Sequence, residues 1–187
     1  MRFSLEENHR RSLRLEAYDY SQAGAYFVTL CAKDREGIFG EIADGSMTLS
    51  AFGEIARACW EDLPSCYPHV ELDAFVVMPN HIHGIIVISV GAIHELPLHD
   101  DSALQNYRMR RRKMLLPKIV GYIRMSVGKR INQLRNTLGA PVWQRNYYEH
   151  VIRNEESLNA IRQYIAQNPV NWAHDEENQV NICRGNS

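Results

Sequence analysis

Phe75-Val-Val-Met-Pro-Asn-His-Ile-His-Gly-Ile-Ile-Val-Ile88 is the stretch that decides the fold. Two apolar, β-rich runs flank Pro79-Asn80, a pair that turns a chain, so the stretch reads as strand, tight turn, strand. Residues two apart on a strand face the same way. His81 and His83 therefore converge on one face, with Ile85 and Val87 beyond them. The spacing alone leaves two readings open. The pair is either two thirds of a metal site or two hairpin-end histidines making ordinary hydrogen bonds.

The rest of the chain fits around this hairpin. Upstream, Ala25-Tyr-Phe-Val-Thr-Leu-Cys-Ala32 is apolar on both faces, as a central strand must be. A loop follows, with a short strand expected near Phe39 and another over Ser46–Leu49 after the Asp44-Gly45 turn. Ser50 is placed to cap a helix running to about Leu63, with Phe52, Ile55, Ala56, Cys59 and Leu63 on its apolar stripe and Pro64 and Pro68 ending it. Downstream of the hairpin comes a polar loop carrying His94 and His99. A long helix is then expected from Met114 to Leu138, on a stripe of Leu116, Val120, Ile123, Val127, Ile131, Leu134 and Leu138. A further strand is expected over Tyr147–Ile152. Asn154 caps a last helix, which Pro169 should end at Asn168. The order of the principal elements is β-α-β-β-α-β plus a C-terminal helix. That is a ferredoxin-like α+β fold with an antiparallel sheet. One domain is expected over 1–187, with an N-terminal arm at 1–21, a core at 22–172 and a tail at 173–187.

Bulk composition is that of an ordinary globular protein: 45% hydrophobic, 23% charged, net charge −1. No apolar run is long enough to span a bilayer and the N-terminus has no signal-like stretch, so a cytoplasmic location is expected. The four cysteines show no C-x-x-C spacing, which argues against a zinc knuckle or a disulfide framework. The average charge hides a segregation. From Ser102 to Tyr148 there is no acid, while Arg108, Arg110, Arg111, Arg112, Lys113, Lys118, Arg124, Lys129, Arg130, Arg135 and Arg145 all fall in that window. A basic segment in a neutral protein suits a polyanion such as nucleic acid.

The last helix supplies the complement to the histidines. Tyr164 and Asn168 are four apart and share a helix face, beside the docking stripe of Leu158, Ile161 and Ile165. Two imidazoles and an amide oxygen form a weak, mostly neutral ligand set, suited to Mg²⁺ or Mn²⁺ completed by water and phosphate oxygens. A tyrosine beside such an ion is placed to attack phosphorus.

Three blocks, Val76-Val-Met-Pro-Asn-His-Ile-His-Gly84, Val142-Trp-Gln-Arg-Asn-Tyr-Tyr-Glu-His-Val-Ile-Arg153 and Tyr164-Ile-Ala-Gln-Asn-Pro169, occur in order at separations that are highly specific. Through them the chain resembles the single-tyrosine HUH transposases, and among these the REP-associated tyrosine transposases. The resemblance implies a Mg²⁺- or Mn²⁺-dependent nuclease and strand transferase on single-stranded DNA, often beside a hairpin. It matches His81 and His83 to metal-binding histidines, Asn168 to the third ligand position, and Tyr164 to a nucleophile that forms a 5′-phosphotyrosine. Trp143, Gln144 and Arg153 match recurring positions with structural or DNA-contact roles. Arg110, Arg111, Arg112, Lys113, Lys118, Arg124, Lys129, Arg130 and Arg145 are the expected DNA-binding set. A homodimer is compatible with the resemblance. Tyr147 and Tyr148 compete as nucleophiles by residue type, but lie on an expected strand without an Asn four residues on. Two rival readings stay open. One is a zinc hydrolase taking a third histidine from His94, His99 or His150. The other is a non-catalytic hairpin-binding or regulatory protein derived from a transposase.

Overall fold

A computed structural model describes residues 20, 22–89, 114–175 and 178. The arm apart from Tyr20, the loop with His94 and His99, the basic run Arg108, Arg110, Arg111, Arg112 and Lys113, and most of the tail lie outside the described residues.

The hairpin forms as its sequence dictates. Strand β4 (Val70–Val77) turns through Met78-Pro79-Asn80 into β5 (His81–Ile88), and the Met78 N–H donates to the His81 carbonyl at 2.8 Å. β1 (Gly24–Cys31) pairs with β5 on one side and with β6 (Tyr148–Ile152) on the other, both antiparallel. The strand order is β4-β5-β1-β6, and β1 is central, as its two apolar faces required. A separate hairpin joins β2 (Gly40–Ala43) to β3 (Ser46–Leu49). The result is the expected α+β arrangement with an antiparallel sheet.

Helix α1 (Ala51–Glu61) begins at Ser50, whose hydroxyl accepts from the Phe52 and Gly53 N–H groups at 3.2 Å and donates to the Ile38 carbonyl. Pro64 does not end the helical path. It opens a short helix α2 (Leu63–Cys66), because a proline in a first turn gives up an N–H that would have had no partner there. Helix α3 (Leu115–Leu134) stops earlier than its apolar spacing suggested: Asn136 adopts a left-handed φ of 54°, and Leu138 is 92% exposed. Asn132 explains the stop. Its backbone carbonyl accepts from Thr137 N–H at 2.9 Å, and its side-chain amide donates to the Ala140 carbonyl at 2.8 Å, which folds the chain back over the helix end. Helix α4 (Glu155–Asn171) is capped by Asn154, which accepts from Ser157 N–H at 2.8 Å. It runs through Pro169 rather than ending at Asn168. Pro169 sits in the last turn, so the bond it fails to make to the Ile165 carbonyl is one of the final few of the helix, and few turns follow to be disturbed.

The sheet has two different faces. Tyr26, Val28 and Leu30 of β1 and Ile82, Ile86 and Ile88 of β5 join the main core with Trp60 of α1 and Leu116, Ile119, Val120, Ile123, Val127 and Ile131 of α3. Gly84 lies on this side, where an added Cβ would come within 2.2 Å of the Trp60 ring. The other face carries a smaller cluster in which Phe27, Ile85 and Ile152 meet Ile161 and Ile165 of α4. His81 and His83 stand on that second face, under α4.

Candidate functional site

Alternation along β5 turns His81 and His83 the same way, and their ring centroids are 4.4 Å apart. Both are buried, at 0% and 2% exposure. α4 crosses above them and brings Tyr164, whose hydroxyl lies 3.3 Å from His83 Nε2. Its ring meets Phe27 edge-on at 6.1 Å. One turn further along, Asn168 is buried. Because α4 continues past Pro169, Trp172 reaches the histidines as well, 6.0 Å from the His81 ring. Two histidines on a strand, Tyr164 of a distant helix and Trp172 just beyond that helix thus meet within a single chain.

Each imidazole is held by a neighbour. Thr29 of β1, directly opposite His83 in the strand register, places its hydroxyl 2.8 Å from His83 Nδ1. Asn80 Oδ1 lies 2.8 Å from His81 Nδ1. Burial dominates the electrostatics. It pushes His83 from 6.5 down to about 3. It also takes His81 well below the ordinary value, with His83 and the Arg35 charge acting in the same direction. Both imidazoles are therefore neutral at neutral pH, the form that binds a metal.

The test of a metal site here is what the donor atoms lack. His81 Nε2 and Asn168 Oδ1 are buried with no hydrogen-bond partner among the described residues. A buried polar atom left unsatisfied costs about 1–3 kcal/mol, and an electron-pair acceptor would satisfy either of these two. His83 Nε2, facing the Tyr164 hydroxyl, completes a set that fits a divalent cation of the Mg²⁺ or Mn²⁺ kind. Among the described residues no group of three His, Cys, Asp or Glu side chains is arranged to hold a metal. His150, the described candidate for a third imidazole, lies on β6, two strands from β5, and is not gathered with the pair.

α4 is fixed to the sheet by more than apolar contact. A bulge in β4 between Leu72 and Phe75 carries Asp73, which accepts from Arg162 Nε at 2.9 Å and Nη2 at 2.6 Å. Those bonds hold the Asp73 carboxyl below its usual value. Sequence patterning missed this clasp and Thr29 because the partners are remote in sequence, and it read Asn80, the neighbour of His81, only as a turn residue.

The described part of the basic segment lies elsewhere. α3 packs on the sheet face opposite the histidines, so Lys118, Lys129 and Arg130, all exposed, are carried on the far side of the sheet from Tyr164. Arg124 turns its guanidinium to the carbonyls of Gln144 and Arg145. Trp143 is buried, and its indole N–H donates to the Arg124 carbonyl at 3.1 Å. The Gln144 N–H donates to Cys31, the register partner of His81, at 2.9 Å. Arg124 and exposed Arg145 thus lie toward the end of the sheet where His81 stands. Arg153 is exposed just beyond β6.

A Haemophilus influenzae protein described only as uncharacterised is 39% identical over 176 residues, which span 90% of this chain and 93% of that protein. The chain belongs to one family with it. A second Haemophilus influenzae protein, provisionally named a REP-associated tyrosine transposase, is 25% identical over 166 residues, 84% of this chain and 77% of its own length. No protein-family model matches the chain. Among solved structures, a REP-associated tyrosine transposase bound to a REP hairpin aligns with 88% of this chain and 73% of its own, at TM-score 0.47 and 21% identity. A provisionally named transposase of Deinococcus radiodurans aligns with 82% of this chain and 95% of its own, at TM-score 0.42 and 18% identity. Among the described residues no helix is long and apolar enough to cross a membrane.

Proposed function

We propose that the chain is a metal-dependent, single-stranded DNA nuclease and strand transferase of the tyrosine transposase type, acting beside DNA hairpins. One observation carries the reading. Tyr164 of α4 meets His83 of β5, whose ring neighbours His81, in a buried site, and His81 Nε2 and Asn168 Oδ1, the latter one helical turn beyond Tyr164, are left unsatisfied. The named similarity to a REP-associated tyrosine transposase supports the same conclusion.

The residues divide the work. His81, His83 and Asn168 would hold Mg²⁺ or Mn²⁺, which when bound polarises the scissile phosphate and steadies its developing charge. Phe27 and the α4 cluster keep the Tyr164 ring against the histidines. The Tyr164 oxygen attacks phosphorus and forms a P–O bond as its proton leaves, and the P–O3′ bond breaks with the 3′ oxygen taking up a proton. The products are a 5′-phosphotyrosine and a free 3′-hydroxyl, so the bond is conserved for rejoining. A phenol near pKa 10 needs help to lose its proton, which a bound cation beside the oxygen would supply.

The test is covalent capture. Protein, Mn²⁺ and labelled single strands drawn from the DNA flanking the gene are run on a denaturing gel beside Tyr164→Phe. The expected result is a metal-dependent adduct absent from the variant, with DNA binding retained. An adduct that survives Tyr164→Phe refutes this assignment and directs attention to Tyr148, which shares the site's sheet face.

A further inference from the structure

The turn before His81 is gripped from outside. Ala32 N–H donates to the Asn80 carbonyl at 2.7 Å, and Phe39 N–H to the Pro79 carbonyl at 2.9 Å. Between those two anchors the chain makes an irregular turn in which Asp34 and Arg35, neither of them glycine, adopt φ of 54° and 55°. Left-handed residues of this kind cost on the order of 1 kcal/mol each and persist where the surroundings over-determine them. What this pair accomplishes is visible at Arg35. Its carbonyl accepts from the Asn80 side-chain amide, Nδ2, at 3.2 Å.

That bond settles which way the Asn80 amide points. A carbonyl only accepts, so the NH₂ group of Asn80 faces Arg35 and its oxygen faces His81. Asn80 Oδ1 likewise only accepts, so at 2.8 Å it takes the proton of His81 Nδ1. A neutral imidazole carries one proton. Once that proton is on Nδ1, Nε2 is left as a lone pair, and Nε2 is the atom with no partner.

From this geometry we infer that Asn80 is a positioning residue: held by the Arg35 carbonyl, it fixes His81 in the Nδ1-protonated tautomer and so aims Nε2 at the metal position. The inference rests on the metal-dependent reading above and adds a residue that touches neither metal nor substrate. It also gives the left-handed turn at Asp34-Arg35 a purpose, since a relaxed turn would carry the Arg35 carbonyl elsewhere. Neighbours of metal-ligating histidines typically contribute 10–100-fold in metal affinity.

The experiment compares full-length wild type, Asn80→Ala and Asn80→Asp. Imidazole ¹⁵N shifts are recorded in EDTA, and Mn²⁺ affinity is then measured by titration calorimetry. Wild-type His81 should be protonated at Nδ1. Folded Asn80→Ala should lose that preference and bind Mn²⁺ about 10–100-fold more weakly. Asn80→Asp keeps an acceptor toward His81 but gives up the donor to the Arg35 carbonyl, so it should keep the Nδ1 tautomer and bind Mn²⁺ more tightly than folded Asn80→Ala; loss of that tautomer in it overturns the inference even if the alanine variant does not fold. Nε2 protonation in the wild type overturns the inference, as does unchanged affinity in folded Asn80→Ala, or an aspartate variant as weak as a folded alanine variant. A wild type with the expected tautomer that binds no Mn²⁺ instead sinks the metal-dependent function, while upholding the hold of Asn80 on His81.

Discussion

Acid should unfold this protein through its own site. Burial takes His83 from 6.5 to about 3 and moves His81 in the same direction. In the unfolded chain both imidazoles return to about 6.5. Below that pH the unfolded chain binds protons that the folded chain refuses, so stability falls with pH until the folded value is reached. Above pH 6.5 neither state is protonated and the full stability is present. Each such group contributes about 1.4 kcal/mol per pH unit inside the window. His83 alone therefore removes about 2–3 kcal/mol between pH 6 and pH 4, a large share of the ~5–15 kcal/mol typical of a folded domain. The assay is urea unfolding in EDTA at several pH values between 7 and 4, for wild type and His83→Gln. Glutamine keeps a polar side chain and removes one titration. The wild-type slope should exceed that of the variant by about 1.4 kcal/mol per pH unit. Equal slopes would refute the claim that His83 is buried in its neutral form.

Three other perturbations probe the rest of the architecture. Gly84→Ala drives a methyl group into the Trp60 ring, where a Cβ would sit 2.2 Å from the nearest atom; a loss of about 1–3 kcal/mol or more is expected in denaturant titration. Asp73→Ala opens the clasp on Arg162, so amide exchange in α4 should quicken and adduct yield should fall further than the melting temperature does. In the wild type that clasp is fully present above the usual carboxylate pKa and is lost as pH falls through the depressed value of Asp73. Charge reversal of Lys129 and Arg130 should weaken DNA binding for all sequences and flatten its salt dependence, by about 0.9 in log–log slope for each phosphate that is no longer neutralised; an unchanged slope would show that the exposed face of α3 is not on the DNA path.

Much of this was legible in the sequence because it obeys short periods. The two-residue repeat of β5 put His81 and His83 on one face, and the four-residue step on α4 put Tyr164 above Asn168. The caps at Ser50 and Asn154 lie where their residue types predicted. Periodicity failed where a single side chain overrode it. Leu134 and Leu138 continue the α3 stripe in sequence, yet they are 55% and 92% exposed because Asn132 gathers the turn beyond the helix. Pro169 reads as a stop, but a proline in the final turn breaks too little to end a helix. The partners of the site were illegible for another reason. Thr29 lies 54 positions from His83, and Arg162 lies 89 from Asp73, so no local pattern could link them.

The two unequal faces of the sheet make the site separable from its scaffold. The face against α1 and α3 holds most of the buried apolar side chains, whereas α4 rests on a small patch and one ion-pair clasp. Partial opening of such a helix costs less than global unfolding. Damage to its footing would therefore silence the proposed cutting while the sheet survives: in a tool built this way, the blade fails before the handle.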